Sequence, residues 1–152
     1  MPEGVKILSK NRKAFFNYAV LDKIECGISL QGTEVKSMKS NHFSFVDSYA
    51  RIRDDELWLI GLHVNEYTHG NIYNHVPDRA RRLLAHKEEI KRLRRQVDEK
   101  GFTLVPLSFY LKDGMIKLEL GVCRGKQVHD KRTTIKNRDM KRDADREMRK
   151  YR

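Results

Sequence analysis

Apolar and polar positions along the chain change their period several times, and each change marks an element. Tyr18, Val20, Ile24, Ile28 and Leu30 alternate loosely with polar residues about Cys26 and Gly27. That pattern predicts a strand pair or one strongly bent strand, with the glycine permitting the bend. Residues 1–14 before it carry Lys6, Lys10, Arg12 and Lys13 but few large apolar groups. They are expected to form a partly mobile lead-in, pinned down by Ile7 and Leu8. In Gly32-Thr33-Glu34-Val35-Lys36-Ser37-Met38, Val35 and Met38 fall three apart, which predicts a short helical turn capped by Thr33 and reaching Ser40. Glu34 there suits a structural role, pairing with Lys36 or satisfying a helix terminus.

Residues 43–53 and 57–64 are apolar-rich runs around Asp54-Asp55-Glu56, the composition of a hairpin. Residues 65–78, rich in Asn and His and closed by Pro77, read as a loop. Leu83, Ile90, Leu93 and Val97 then share one face of a helix starting near Arg81 or Lys87 and ending at Lys100, where Gly101 supplies a left-handed stop. The clearest long-range signal is the alternation of Ile116, Leu118, Leu120 and Val122 after Asp113-Gly114, which pairs this run with residues 102–111 through a type I′ turn. Pro106 cannot donate to a ladder, so its strand is expected to bulge or face an edge. The fold class expected is mainly β: a closed antiparallel OB-like barrel of about six strands with two or three flanking helices and a basic tail, because an open sheet would leave exposed edges.

Composition adds a partner and a division. The 152 residues carry a formal net charge of +11 and a pI near 9.8, which favours a polyanion, nucleic acid ahead of an anionic membrane. Residues 124–152 hold twelve Lys/Arg against five Asp/Glu, a net of +7, and the other 123 residues only +4. One domain over residues 1–124 with a basic tail over 125–152 follows. No apolar run reaches the roughly 18 residues of a membrane span, and the N-terminus lacks a signal-peptide core, so a cytoplasmic location is expected. Cys26 and Cys123 stand apart in apolar stretches, which suits reduced core thiols.

Chemistry is scarce in the pattern. Neither cysteine has ligand spacing to His63, His69 or His75, no Walker, Rossmann or H-E-x-x-H signature occurs, and neither metal nor cofactor is expected. An RNase built from dispersed His, Glu and Lys side chains has no fixed spacing and stays open at this point.

Five segments then carry a resemblance: GTEVKS (32–37), DSYA (47–50), RRLLAHKEEI (81–90), LVPLSFYLKDG (104–114) and GKQVHDKR (125–132), in this order over essentially the whole chain. Together they closely resemble the SsrA-binding protein family, also called small protein B. The resemblance implies a non-enzymatic adaptor, a monomer, that binds the tRNA-like domain of transfer-messenger RNA and brings it to stalled ribosomes for trans-translation. Alanyl-tRNA synthetase and elongation factor Tu would act on the same RNA. It assigns RNA contacts to Asn11, Arg12, Lys13, Glu25, Arg82, Leu84, His86 and Lys87, with Arg79 and Arg81 in the surrounding basic rim. The tail residues Gly125, Lys126, His129, Asp130, Lys131, Arg132, Lys136, Arg138 and Met148 would enter the decoding site and mRNA channel.

Each assignment has a plainer reading. Asn11, Arg12 and Lys13 also suit a solvated terminus, Glu25 an exposed strand position, and Leu84 a core position. Gln127 stands where the family usually has a second lysine, which removes one possible phosphate contact. Met140, Ala144, Met148 and Tyr151 lie four, four and three apart, so the tail is expected to be disordered when free and helical when bound. A general OB-type RNA-binding protein without a dedicated RNA is the alternative.

Overall fold

The computed structural model describes residues 5–45, 47–68 and 74–125. In chain order these form β1 (Val5–Lys10), α1 (Arg12–Asn17), β2 (Tyr18–Ile28), α2 (Gly32–Lys39), β3 (Phe43–Ser44), β4 (Tyr49–Arg53), β5 (Glu56–Ile60), β6 (His63–Val64), β7 (Arg81–Leu84), α3 (Lys87–Lys100), β8 (Thr103–Lys112) and β9 (Met115–Gly125). The main sheet runs β1-β8-β4-β5-β7-β2-β9, and β9 pairs again with β8. Six antiparallel strands therefore form a ring, with β1 added outside it, and β3 pairs with β6 in a small separate sheet. This is the mainly β, OB-like architecture expected, with three helices among the described residues.

Alternation decides which side chains fill the ring. Cys26, Leu57, Leu59, Leu83, Phe109, Leu118, Leu120 and Val122 are almost fully buried and belong to one core, joined by Met38 from α2 and Leu93 from α3. The rings of Phe45 and Phe109 meet edge to face with centroids 4.9 Å apart. A second, smaller cluster of Ala14, Val105, Leu107 and Cys123 lies under α1. Both cysteines are free and buried, and burial pushes the Cys26 thiol up to about 12 and the Cys123 thiol up to about 11. None of the described helices is long and apolar enough to cross a membrane.

The two turns that close hairpins follow their sequence. Asp113 and Gly114 both have positive φ, 52° and 77°, as a type I′ turn requires. Asp54 and Asp55, at 52° and 61°, make a second two-residue connection, so Glu56 begins β5 instead of belonging to the turn.

Several expectations change. Of the lead-in expected over residues 1–14, the described residues 5–14 are ordered: β1 pairs with β8 from Val5↔Lys112 to Lys10↔Ser108, and Leu8 and Ala14 are buried. A neighbouring strand edge supplied the hydrogen bonds that local apolar content did not. Residues 18–28 form one strand, irregular between Val20 and Asp22, and Gly27 serves close packing instead of a bend: a Cβ there would lie 3.2 Å from Leu84 Cβ. Residues 43–53 and 57–64 each divide into two strands. Helix α3 starts at Lys87, because the preceding residues alternate as a strand, with Arg81 and Leu83 inward and Arg82 and Leu84 outward. Its end is as expected, with Gly101 left-handed at φ 67°. Helix α2 is capped at Gln31, whose backbone N–H donates to Glu34 Oε1 at 2.8 Å, and Thr33 instead meets His75.

Glu34 pairs with Arg79 and Arg81, not with Lys36. Both Glu34 and Arg81 are wholly buried, with Arg81 Nε 2.5 Å from Glu34 Oε2. The Arg81 guanidinium also donates to the carbonyls of Leu62, Pro77 and Arg79, so each of its three nitrogens is hydrogen-bonded. Burial pushes the Glu34 carboxyl up, but the bonds from Arg79, the Gln31 N–H and Arg81 outweigh it and hold the group below the usual carboxylate range. His75, also buried, donates from Nε2 to the Val64 carbonyl at 2.9 Å, and its Nδ1 lies 2.8 Å from the Thr33 hydroxyl, from which it accepts in the neutral ring. These bonds fasten the end of the loop to α2.

Removing one partner of a buried pair strands the other charge. Glu34→Gln is expected to cost about 3–5 kcal/mol at neutral pH. A depressed carboxyl stabilises the fold above its ordinary range and loses that contribution as pH falls through its folded value. Urea midpoints of the two proteins are therefore expected to converge in acid.

Candidate nucleic-acid interface

The register of the ring converts sequence positions into rows across its outer surface. Leu84 lies opposite Gly27, Gly27 opposite Lys117, Lys117 opposite Tyr110, and Tyr110 opposite Ile7. The next row carries Glu25, Glu119, Ser108 and Lys10 in the same way. Alternation points both rows outward, since Ile24, Cys26, Phe109, Leu118 and Leu120 fill the core between them. Leu84 is 50% exposed on top of Gly27. A large apolar side chain this exposed, at the centre of a strand row, is available to a partner and is not a core residue.

Glu25 is held in place. Tyr110 Oη donates to its Oε2 at 2.5 Å, and Lys112 Nζ stands 3.3 Å from its Oε1. The Tyr110 hydrogen bond is the chief reason the carboxyl is held below the usual range; slight burial opposes it and Lys112 adds to it. The phenol is pushed up in turn, first by burial and then by Glu25. Glu25 therefore stays ionised, an acceptor fixed at a defined position. It lies in a groove of about 530 Å³ whose walls include Ile7, Phe15, Lys23, Tyr110 and Lys112, and Lys23 Nζ lies 5.9 Å from the Phe15 ring centroid. Apolar walls, a fixed carboxylate and neighbouring lysines together suit a base or sugar edge with flanking phosphates.

His86 and Lys87 follow Leu84 after Ala85 and are exposed at the start of α3, where the His86 side chain makes no capping bond. Arg82 is exposed on β7, 3.7 Å from Glu56. Arg12 and Lys13 are exposed on α1, with Lys13 3.1 Å from Asp47.

Asn11 is different. It is 3% exposed, and its amide is spent within the fold: Oδ1 accepts from the Ala14 N–H at 3.1 Å and Nδ2 donates to the Pro106 carbonyl at 3.1 Å. Its side chain supports Arg12 and Lys13 without being presented beside them. Arg81, placed in the basic rim by its neighbours in sequence, is buried against Glu34, and Arg79 is also committed to that carboxylate. Gly125 is the last residue of β9, opposite Tyr18. Lys126, His129, Asp130, Lys131, Arg132, Lys136, Arg138 and Met148 lie outside the described residues, as does His69. Tyr110, Lys112, Lys117 and Lys23 were missed as site residues. The alternation of Ser108, Tyr110 and Lys112 was visible, but only the pairing of β8 through β9 to β2 brings that face to Glu25.

Comparison with known proteins decides the family. The model of the family described as SmpB protein matches residues 8–150. The chain belongs to the SmpB family. An SsrA-binding protein of Treponema denticola is 56% identical over 144 residues, covering 95% of this chain and 94% of that protein. One from Borreliella burgdorferi is 49% identical over 142 residues, covering 93% and 95%. Among solved structures, a chain from "tmRNA-SmpB: a journey to the center of the bacterial ribosome" has a TM-score of 0.67 at 43% identity, covering 81% of this SmpB-family chain and 87% of that one.

Tyr110→Phe removes the main donor to Glu25 and leaves the strand unchanged. The Glu25 carboxyl, followed by NMR through a pH titration, is expected to titrate higher, towards the ordinary carboxylate range.

Proposed function

We propose that this protein binds the tRNA-like domain of transfer-messenger RNA on the outer face of β7, β2, β9 and β8 and delivers it to stalled ribosomes for trans-translation. The observation that carries the reading is the outward row of exposed Leu84 and half-buried Gly27, Lys117 and Tyr110 beside a fixed Glu25, in a chain that matches the SmpB family along nearly its full length. The names of its relatives and of the solved neighbour, SsrA-binding protein and tmRNA-SmpB, support the same partner.

In this reading Leu84 packs against an unstacked base or sugar, and His86 stacks or hydrogen-bonds beside it. Glu25 accepts from base amino or imino groups or a 2′-OH, since phosphates would repel it. Arg12, Lys13, Arg82 and Lys87 take phosphates, which position the RNA without reading its sequence. Asn11 fixes the turn from β1 to α1 that aims Arg12 and Lys13. The basic tail beyond Gly125 stands in for codon-anticodon contacts in the decoding site, with Lys126, Lys131, Arg132, Lys136 and Arg138 on ribosomal phosphates, and probes the mRNA channel as a helix formed on binding. Alanyl-tRNA synthetase and elongation factor Tu act on the RNA that the protein holds, and the protein itself performs no reaction.

The division of labour predicts separable losses. Truncation after Gly125 is expected to leave affinity for the tRNA-like domain within a few fold and to abolish tagging of nascent chains on stalled ribosomes. A large loss of RNA binding in that truncation would contradict the division. Equal competition by bulk tRNA in a gel shift at moderate salt would contradict dedication to one RNA.

A further inference from the structure

The outer face of the ring does not end at Leu84. Across β7, β5 and β4 the register places Arg82 opposite Trp58 and Trp58 opposite Arg51, with Arg53 opposite Glu56 in the adjoining row. Alternation exposes Arg51 and Arg53 on β4 and Arg82 on β7, and leaves Trp58 half-buried between them, while Leu57, Leu59 and Leu83 point into the core. Directly opposed residues on one face have Cβ atoms about 4.5–5.5 Å apart, so the indole is flanked on both sides by guanidinium-bearing positions.

Most surface charges nearby are committed. Arg82 faces Glu56 at 3.7 Å, and Arg94 is paired with Asp55. Arg51 and Arg53 are not: among the described residues neither makes an ion pair or a side-chain hydrogen bond. Trp58 likewise has no aromatic partner, no cation over its ring and no hydrogen bond from its indole N–H. A groove of about 350 Å³ opens over it, walled by Arg51, Arg53, Glu56 and Ile60. A half-exposed indole with its face and its N–H unspent, beside two unpaired arginines, matches the stacking platforms that hold single-stranded nucleic acid. There an aromatic ring takes a base of any kind and basic groups follow the backbone.

We infer that Trp58 is a stacking platform for an unpaired RNA base, with Arg51 and Arg53 holding the adjacent phosphates, and that this site extends the RNA face past Leu84 around the barrel. The inference rests on the reading that the partner of the Leu84 face is RNA. Continuity favours RNA as the occupant: Trp58 lies opposite Arg82, two residues before Leu84 on β7, and neighbouring strands are only about 4.7–4.9 Å apart. A nucleotide chain seated on Leu84 reaches Trp58 without crossing another element.

The sequence holds one tryptophan, so its emission reports on this position alone. The test titrates the full-length protein with the tRNA-like domain of transfer-messenger RNA, reading Trp58 fluorescence and, in parallel, filter binding. Quenching that follows the filter isotherm is expected. Trp58→Leu is expected to weaken binding about fivefold to a hundredfold, the range for loss of one stacked base. Because Trp58 also contributes some packing, the exposed pair Arg51→Gln with Arg53→Gln is measured beside it, and is expected to lower the slope of log K against log salt by about 2. RNA retained on the filter with unchanged Trp58 emission, and with an unchanged salt slope in the arginine pair, would overturn the inference and leave the adaptor reading standing. Quenching by a poly-glutamate peptide but not by RNA would also overturn it. Failure of the unmodified protein to retain RNA at all would overturn the adaptor reading itself.

Discussion

The edge of β8 is shared, and much of the molecule depends on how the sharing is arranged. Its first residues pair with β4 through Ala50↔Leu104, its last five with β1, and its other edge is occupied throughout by β9. Between the two partners lie Pro106, which has no N–H, and an irregularity in the β9 register before Ser108. The carbonyls of Pro106 and Leu107 are left facing a gap, and Asn11 fills it: its backbone N–H donates to Leu107 at 2.8 Å and its side chain to Pro106. Leaving such buried groups unpaired costs about 1–3 kcal/mol each. Val105 and Leu107 point outward into the second core under α1, Leu107 over Gly121, where a Cβ would lie 2.8 Å from Leu107 Cδ1, and after the irregularity Phe109 returns to the main core.

Function follows from the same arrangement. Because β8 serves as a hub, the outward residues of β1, β8, β9, β2 and β7 align in continuous rows, and Tyr110 can reach Glu25 across β9. Two carboxylates have opposite duties on either side of the sheet. Glu34 is buried and spent on Arg79 and Arg81, fixing the loop before β7. Glu25 is exposed and ionised, positioned by a phenol and a lysine that leave part of it open to a partner. Asn11, buried and hydrogen-bonded to Ala14 and Pro106, would act on the proposed binding face only through the frame.

Where the apolar period was strong and local, the sequence was sufficient. Residues 102–122 form the hairpin, residues 87–100 the helix and Gly101 its stop, and the ring agrees with the argument from exposed edges, although one of its six strands, β7, lies where the pattern allowed the start of the helix. Where an element is decided by a partner distant in sequence, local pattern misled. Strand β1 has little apolar content because an edge of β8 holds it. Arg81 carries a charge in a buried strand position because Glu34, far away in the chain, neutralises it. Leu84, Glu25 and the basic residues around them could be chosen only by family resemblance, since an exposed leucine and an exposed glutamate carry no signal alone. Tyr110 and Trp58 became visible only with the register.

The central claim is that the outer surface of β7, β2, β9 and β8 is the face that meets RNA. An NMR titration of isotope-labelled protein with the tRNA-like domain of transfer-messenger RNA tests it residue by residue. The largest shifts are expected at Glu25, Gly27, Leu84, His86 and Lys117, with the side-chain amide of Asn11 still in its buried hydrogen bond. Shifts concentrated around Glu34, His75 and the loop they anchor, with that outer row unchanged, would contradict it.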